Sequence, residues 1–217
     1  IIAFDSLENL HPHAVYVAGN CVAREGKLLF TPAAASGVTP LRDTMRLSAL
    51  SADDFCLKIA GLTNGKARLR NIKGARFTQW SEVTVEVKDG VVQLPEGFSM
   101  IWVQHRHGRH DATPQMALLE GWGELRGAIA TSYSHDSHNL VVLGCSPADM
   151  VVAANQLISS GGGMALSQNG TLLAKVDMPI AGMLSELPAE QLAEQFKNLR
   201  ELSAQIADWE PPYRVFK

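Results

Sequence analysis

The strongest fold signals in the chain lie in residues 132–163, the stretch SYSHDSHNLVVLGCSPADMVVAANQLISSGGG. The apolar run LVVLG predicts a strand. Residues 146–149 then predict a helix start, because they offer a cap residue, a proline at the first helical position and an acid in the first turn. The triple glycine at 161–163 predicts the end of this helix. Phosphate-binding glycine loops precede a helix rather than follow one, so a helix stop is preferred to a phosphate site.

Hairpins dominate the rest of the chain, together with one more long helix. Asp89 and Gly90 separate VTVEV from VVQLP, and Asn169 and Gly170 separate MALSQ from TLLAKVDMP, which are strong hairpin signals. Residues 188–209 have the apolar spacing of an amphipathic helix. This mixture predicts the α+β class, with mixed or antiparallel sheets, hairpins and a few packed helices.

The first 32 residues predict short strands, in the runs IIAF, AVYVAG, CVA and KLLF. Three or four such strands cannot build a core of their own, so we expect them to complete a sheet made by other residues. The chain opens in strand pattern, without an initiator Met or a signal peptide, and we expect its true beginning to be missing. The small, Pro-bounded run TPAAASGVTP predicts a linker. The predicted organisation is strands in 1–32, a linker in 33–48 and an α+β domain in 49–217.

Composition and charge argue against several classes of protein. The 217 residues are 46% hydrophobic and 19% charged, with a formal net charge of −3 and no basic block, so no nucleic acid partner is expected. Cys21, Cys56 and Cys145 are far apart and form no CxxC pair, which favours the reducing cytoplasm. Apolar runs fall short of the roughly 18 residues of a membrane helix, so no membrane partner is expected.

Two histidine-rich segments are the candidate functional sites: QHRHGRH at 104–110 and SHDSHN at 134–139. In an extended segment His105 and His107 lie on the same side, as an H-x-H metal pair requires, but a polar strand end or anion-facing loop is the preferred interpretation. For SHDSHN, two interpretations stay open. An Asx or Ser turn would need one or two of these residues rather than six in a row, and the alternative is contact with a substrate or an active site.

The run RGAIATSYSHDSHNLVVLGCSPADMVVAANQLISSGGGMAL, with NG and DMPIAGMLSEL after it, closely resembles the C-terminal region of bacterial adenine deaminases of the amidohydrolase superfamily. QHRHG is similar to that family's RHG element. The opening segment resembles the strands that follow the family's catalytic barrel and return to a small β-sandwich. The resemblance spans essentially the whole chain, and it implies that the parent enzyme hydrolyses adenine to hypoxanthine and ammonia.

The resemblance also implies a division of roles. A divalent metal, Mn or Fe, belongs to a β/α barrel that this chain lacks, and no metal is expected in the chain itself; the pair His105-x-His107 falls in the RHG element and is not the barrel's metal pair. The chain alone is expected to be inactive and to cap or complete the barrel site, with the missing barrel, adenine and a homo-oligomer as partners. The residues expected to contact substrate or to orient the groups that do so are His135, Asp136, Ser137, His138 and Asn139, with Arg106 and His107 supporting the loop or the domain junction.

Two other functions remain open at the level of sequence. One is a stand-alone His-rich module that binds a metal or a nucleobase through the two histidine segments. The other is a structural or oligomerisation domain that uses the tail helix and exposed sheet edges.

Overall fold

The computed structural model describes residues 1–33, 41–74, 77–109 and 113–208. The chain divides into two compact units, Ile1–Thr39 and Pro40–Lys217. Three parts of the sequence predictions lie outside the described residues: positions 34–40 of the linker, His110 of the first histidine segment and Trp209 of the tail helix. No helix among the described residues is both long and apolar enough to cross a membrane.

The first unit is a four-stranded antiparallel sheet with little core. Its strands are β1 (Ile2–Phe4), β2 (Pro12–Val17), β3 (Asn20–Arg24) and β4 (Lys27–Leu28), arranged in that order. Among the described residues of this unit, Ala14 is the buried hydrophobic residue, whereas large apolar side chains such as Ile2, Leu7 and Phe30 are exposed. So few short strands cannot enclose a core, but the described strands pair with one another instead of completing a sheet made by other residues, as the sequence had led us to expect.

The second unit contains the remaining elements. They are a 3-10 helix (Ala52–Phe55), β5 (Gly65–Lys73), β6 (Gln79–Lys88), β7 (Val91–Val92), β8 (Phe98–Gln104), β9 (Gln115–Glu120), β10 (Glu124–Leu125), β11 (Ala128–Thr131), β12 (Leu140–Gly144), α1 (Pro147–Ser160), β13 (Gly163–Gln168), β14 (Thr171–Asp177), α2 (Ala189–Ile206) and β15 (Ala207–Asp208). The mixture confirms the predicted α+β class.

Nine of these strands form one sheet in the order β14-β13-β11-β12-β8-β9-β5-β6-β7. The β5–β9 pair is parallel, and the other pairs are antiparallel. The short strands β10 and β15 pair with each other. Because the sheet joins strands that are distant in sequence, loops from several parts of the chain meet at its ends.

Two hydrophobic cores cover the two faces of this sheet. Along β11, Ala128 and Ala130 belong to the core that contains α1, and Ile129 belongs to the core that contains Leu199 and Ile206 of α2. Successive side chains of a strand point to opposite faces, so α1 and α2 pack on opposite sides. Both faces of the sheet are therefore buried around β11.

The central signals of the sequence are confirmed by the structure. The strand LVVLG is β12, and α1 ends at Gly161, which adopts a left-handed φ of 81°. Both predicted hairpin turns form between paired strands, with left-handed residues at Asn169 and Gly170 in the second. Ser146 occupies the N-cap position of α1, but its side chain makes no capping hydrogen bond there.

Some local predictions need correction. The run CLKIAG at 56–61, whose apolar residues indicate a strand, forms only a single bridge, between Lys58 and Val91. The tail helix ends at Ile206, because Ala207 turns into an extended conformation and pairs with Leu125. Positions 41–48 of the predicted linker belong to the second unit, where Met45 and Leu47 pack against the α1 core.

Candidate functional site

The two histidine-rich segments meet at one end of the nine-stranded sheet. Strand β8 ends at Gln104, which is paired with Leu140 at the start of the antiparallel strand β12. The segment that follows β8 therefore lies beside residues 134–139, which we call the SHDSHN loop and which join β11 to β12. Neither the spacing nor the composition of the two segments showed that they are neighbours.

Arg106 is the buried centre of this end of the sheet. Its side chain is 0% exposed, and its guanidinium donates three hydrogen bonds to three different segments. Nε donates to the His138 carbonyl at 2.6 Å, and the two terminal nitrogens donate to Thr44 Oγ1 at 2.9 Å and to the Ala181 carbonyl at 2.8 Å. Burial lowers the pKa of Arg106 from its usual high value. A guanidinium is suited to this position because its planar fork can reach several acceptors at once.

Close packing around Arg106 fixes the turn that follows β14. Gly182 has a left-handed φ of 69°, and a Cβ placed there would lie 2.5 Å from the guanidinium. Its neighbour Ala181 donates its N–H to the Leu41 carbonyl at 2.6 Å. The turn therefore has no room for a side chain at Gly182.

Ser132 holds the base of the SHDSHN loop. It is fully buried, and its hydroxyl accepts a hydrogen bond from the Gly163 N–H and donates one to the Gly182 carbonyl, each at 2.7 Å. Thr131, the last residue of β11, accepts the Tyr133 N–H through its hydroxyl at 3.0 Å. The strand end is thus tied to β13 and to the turn after β14.

The SHDSHN loop is closed by its backbone and presents polar groups outward. The His138 N–H donates to the Ser134 carbonyl at 2.7 Å, and Asp136 and His138 have left-handed φ values of 68° and 48°. His135 Nδ1 lies 2.7 Å from Asp136 Oδ1, with the two side chains 89% and 92% exposed. Ser137 Oγ lies 3.4 Å from Ser134 Oγ. The outermost imidazole and carboxylate are therefore held together without being buried.

His138 and Asn139 form the inner part of the loop, where both are half-buried. The His138 ring lies 5.8 Å from the Tyr133 ring. Its Nδ1 is buried and has no hydrogen-bond partner among the described residues. Buried polar atoms are usually paired, and this nitrogen is able to form one further hydrogen bond.

His107 follows Arg106 and lies near His105, with ring centroids 5.4 Å apart. The pKa of His107 is lowered, first by burial and then by the positive charge of Arg106. Both effects favour the neutral imidazole, because each opposes adding a proton. His105 and His107 are both half-buried, and Arg106, between them in sequence, is fully buried.

The described residues do not provide a site for the divalent metal that the resemblance implies. Across 1–33, 41–74, 77–109 and 113–208, no three His, Cys, Asp or Glu side chains gather in a way that would hold an ion. Structural and catalytic metal sites generally need three or four such ligands. No step of chemistry is therefore assigned to a metal in this chain.

Sequence reasoning missed the residues that connect the site. Thr44 lies within the predicted linker, and no pattern indicated a role for Ser132 or Tyr133. The local sequence indicates a turn at Gly182, because a glycine next to a proline-containing segment is typical of a tight turn. The contacts of Thr44 and Gly182 with Arg106 depend on the tertiary fold, so no local pattern indicates them.

The family model and the similar proteins that match this chain all carry the name adenine deaminase. The family model described as "Adenine deaminase C-terminal domain" matches residues 75–214. The adenine deaminase of Serratia proteamaculans is 69% identical over 217 residues, and that of Klebsiella pneumoniae subsp. pneumoniae is 68% identical. "Adenine deaminase 2" of Rhizobium meliloti is 46% identical. Each match covers 100% of this chain but 36% of the relative, so the chain spans about a third of their length. The chain belongs to the adenine deaminase C-terminal domain family.

Proposed function

We propose that the chain works as the C-terminal domain of an adenine deaminase, which hydrolyses adenine to hypoxanthine and ammonia, and that the SHDSHN loop completes its active site. The names and the greater length of the relatives support this reaction and a separate catalytic part. In this proposal a barrel outside the chain holds the divalent metal, Mn or Fe, and the chain alone is inactive. The cytoplasm as location and a homo-oligomer as assembly are part of the same proposal.

The observation that carries the proposal is the contrast between the loop and its support. His135 and Asp136 are almost fully exposed, whereas the residues beneath them, Arg106 and Ser132, are fully buried and hydrogen-bonded. A turn that only connects two strands does not require such an anchored base. Rigid support for outward polar groups is what a binding or catalytic contact needs.

The side chains of the loop suit a purine. Adenine offers ring nitrogens that accept hydrogen bonds and an amino group that donates them. Asp136 can accept from a donor, and His135 or His138 can donate to a ring nitrogen or accept from the amino group, depending on the imidazole tautomer. Ser137 and Asn139 add further hydrogen-bonding groups to the loop. Arg106, through the His138 carbonyl, acts as a positioning residue, and His107 supports it.

The proposal is tested by Asp136→Ala and His138→Ala in the full-length enzyme. We expect kcat/KM for adenine to fall about 100-fold, the lower end of what a positioned acid or base contributes. Asp136 is exposed, so its replacement by alanine should lower the melting temperature of the 217-residue chain by no more than a few degrees, the cost of alanine at a left-handed φ. Asp5→Ala is the matched control, because Asp5 also lies beside a histidine, His13, at 3.5 Å in the first unit.

Wild-type kcat/KM in both variants would show that the loop has only a structural role. The inactivity of the chain is tested separately, by assaying adenine deamination with Mn²⁺ or Fe²⁺ for the chain alone and after mixing with a separately expressed barrel fragment. Activity of the chain alone would contradict the division of roles. Activity that needs both parts would support it.

A further inference from the structure

A mostly apolar groove of about 550 Å³ lies beside the SHDSHN loop in the second unit. Its walls come from β13, from the turn after β14 and from α2. Its lining includes Met164, Met178, Met183, Leu184, Phe196 and Arg200. Tyr133 also lines the groove, and its ring lies 5.8 Å from that of His138. The groove and the loop are therefore two parts of one continuous surface.

The floor of the groove belongs to the core, but its rim does not. Met164 and Met178 are buried in the core that contains α2, whereas Leu184 is 60% exposed. Leu184 is nevertheless held in place, because its N–H and carbonyl both hydrogen bond to Ile180. An apolar side chain fixed in an exposed position next to methionines is typical of a surface that binds a protein partner.

The charges of the groove restrict its partner. Arg200 is exposed, and none of the ion pairs found within the described part of the chain uses its guanidinium. Among the residues that the structure describes, no Asp or Glu lines the groove. A complementary segment would insert apolar side chains between Met183 and Phe196 and place a carboxylate near Arg200.

We propose that this groove binds a segment of the remaining polypeptide of the longer enzyme, one that combines apolar side chains with an acidic residue. This inference rests on the proposed function. The chain covers 36% of the adenine deaminases it matches, so most of their length lies outside it and includes the partner. Docking here would bring that polypeptide to Tyr133 and hence next to His138, where the proposed active site needs it.

Methionine oxidation followed by mass spectrometry tests the proposal without relying on activity. Met183 lies at the groove, and Met116, equally half-buried but on β9, is the matched reference. In the 217-residue chain, hydrogen peroxide should oxidise both. In the full-length enzyme, oxidation of Met183 should slow about tenfold relative to Met116, because a docked segment excludes the oxidant.

Leu184→Glu should restore fast oxidation of Met183 in the full-length enzyme. Leu187→Glu is the control, since Leu187 is 37% exposed, lies in the same segment and does not line the groove. Equal oxidation of Met183 in the chain and in the full-length enzyme would overturn the proposal. The proposal would also be overturned if Met183 is already protected in the isolated chain and this protection depends on the concentration of the chain. The groove would then bind a second copy of the chain.

Failure of this proposal is distinguishable from failure of the proposed function. Protection of Met183 together with unchanged kcat/KM in Asp136→Ala and His138→Ala would keep the docking surface and reject the role of the loop. Loss of activity in those variants without protection of Met183 would keep the role of the loop and reject the docking surface.

Discussion

Replacement of Ser132 by alanine tests whether the buried network at the end of the sheet fixes the support of the SHDSHN loop. The hydroxyl bonds to the Gly163 N–H and the Gly182 carbonyl, each at 2.7 Å, and all three residues are buried. Alanine would leave both backbone groups without this partner, and each such loss costs about 1–2 kcal/mol for neutral groups. Serine and alanine differ by one oxygen atom, so repacking adds little. We expect the free energy of unfolding to fall by about 2–4 kcal/mol.

Urea unfolding of the 217-residue chain, followed by tryptophan fluorescence, measures this change, because Trp102 is fully buried in the core. With a urea dependence of about 2 kcal/mol per M, the midpoint should fall by about 1–2 M. Ser137→Ala is the matched control, since Ser137 is exposed and its hydroxyl lies 3.4 Å from Ser134 Oγ. A midpoint for Ser132→Ala no lower than that of Ser137→Ala would refute the reasoning.

Two further substitutions probe the same end of the sheet. Gly182→Ala should cost at least about 1 kcal/mol more stability than Gly170→Ala in thermal melting, because both positions have left-handed φ but only Gly182 is crowded, by Arg106. The pKa of His107 is lowered from 6.5, so its contribution to stability is full above pH 6.5 and is lost as the pH falls below that value. The free energy of unfolding, measured with urea, should therefore fall less between about pH 7.5 and pH 5 in His107→Gln than in the wild type. An equal fall in both proteins would contradict this reasoning.

The elements around α1 could be predicted because their signals are local. The left-handed conformations at Asn169 and Gly170, with φ values of 52° and 71°, are what a two-residue hairpin turn requires, and these residue types adopt them most readily. Gly161 ends α1 for the same reason, with a φ of 81°. In each case a backbone conformation selects the residue, so the residue predicts the conformation.

Strand β9 shows where local reasoning failed. Its sequence, QMALLE, is an apolar run without clear alternation, because Leu118 and Leu119 are both buried, on opposite faces of the sheet. It pairs in parallel with β5 and antiparallel with β8. A strand buried on both faces carries no period-2 pattern, and its parallel partner lies far away in sequence.

The candidate site was predicted as a set of residues but not as an arrangement. The first histidine segment and the SHDSHN loop were both selected, but nothing local indicated that Arg106 joins them. Arg106 bonds to partners 62 and 75 residues away, at Thr44 and Ala181. Such contacts depend on the order of the strands in the sheet, and no local pattern in the sequence indicates that order.

The backbone of the SHDSHN loop gives a physical reason to look outside the chain for its purpose. Left-handed residues other than glycine cost about 1–2 kcal/mol each, and the loop has two, Asp136 and His138. The pair of His135 and Asp136 offsets little of this, since exposed ion pairs contribute about 0–1 kcal/mol. Glycine at these positions would relieve the cost, as it does at Gly170. Stability of this chain does not account for these side chains, and this supports the proposal that they contact a group outside it.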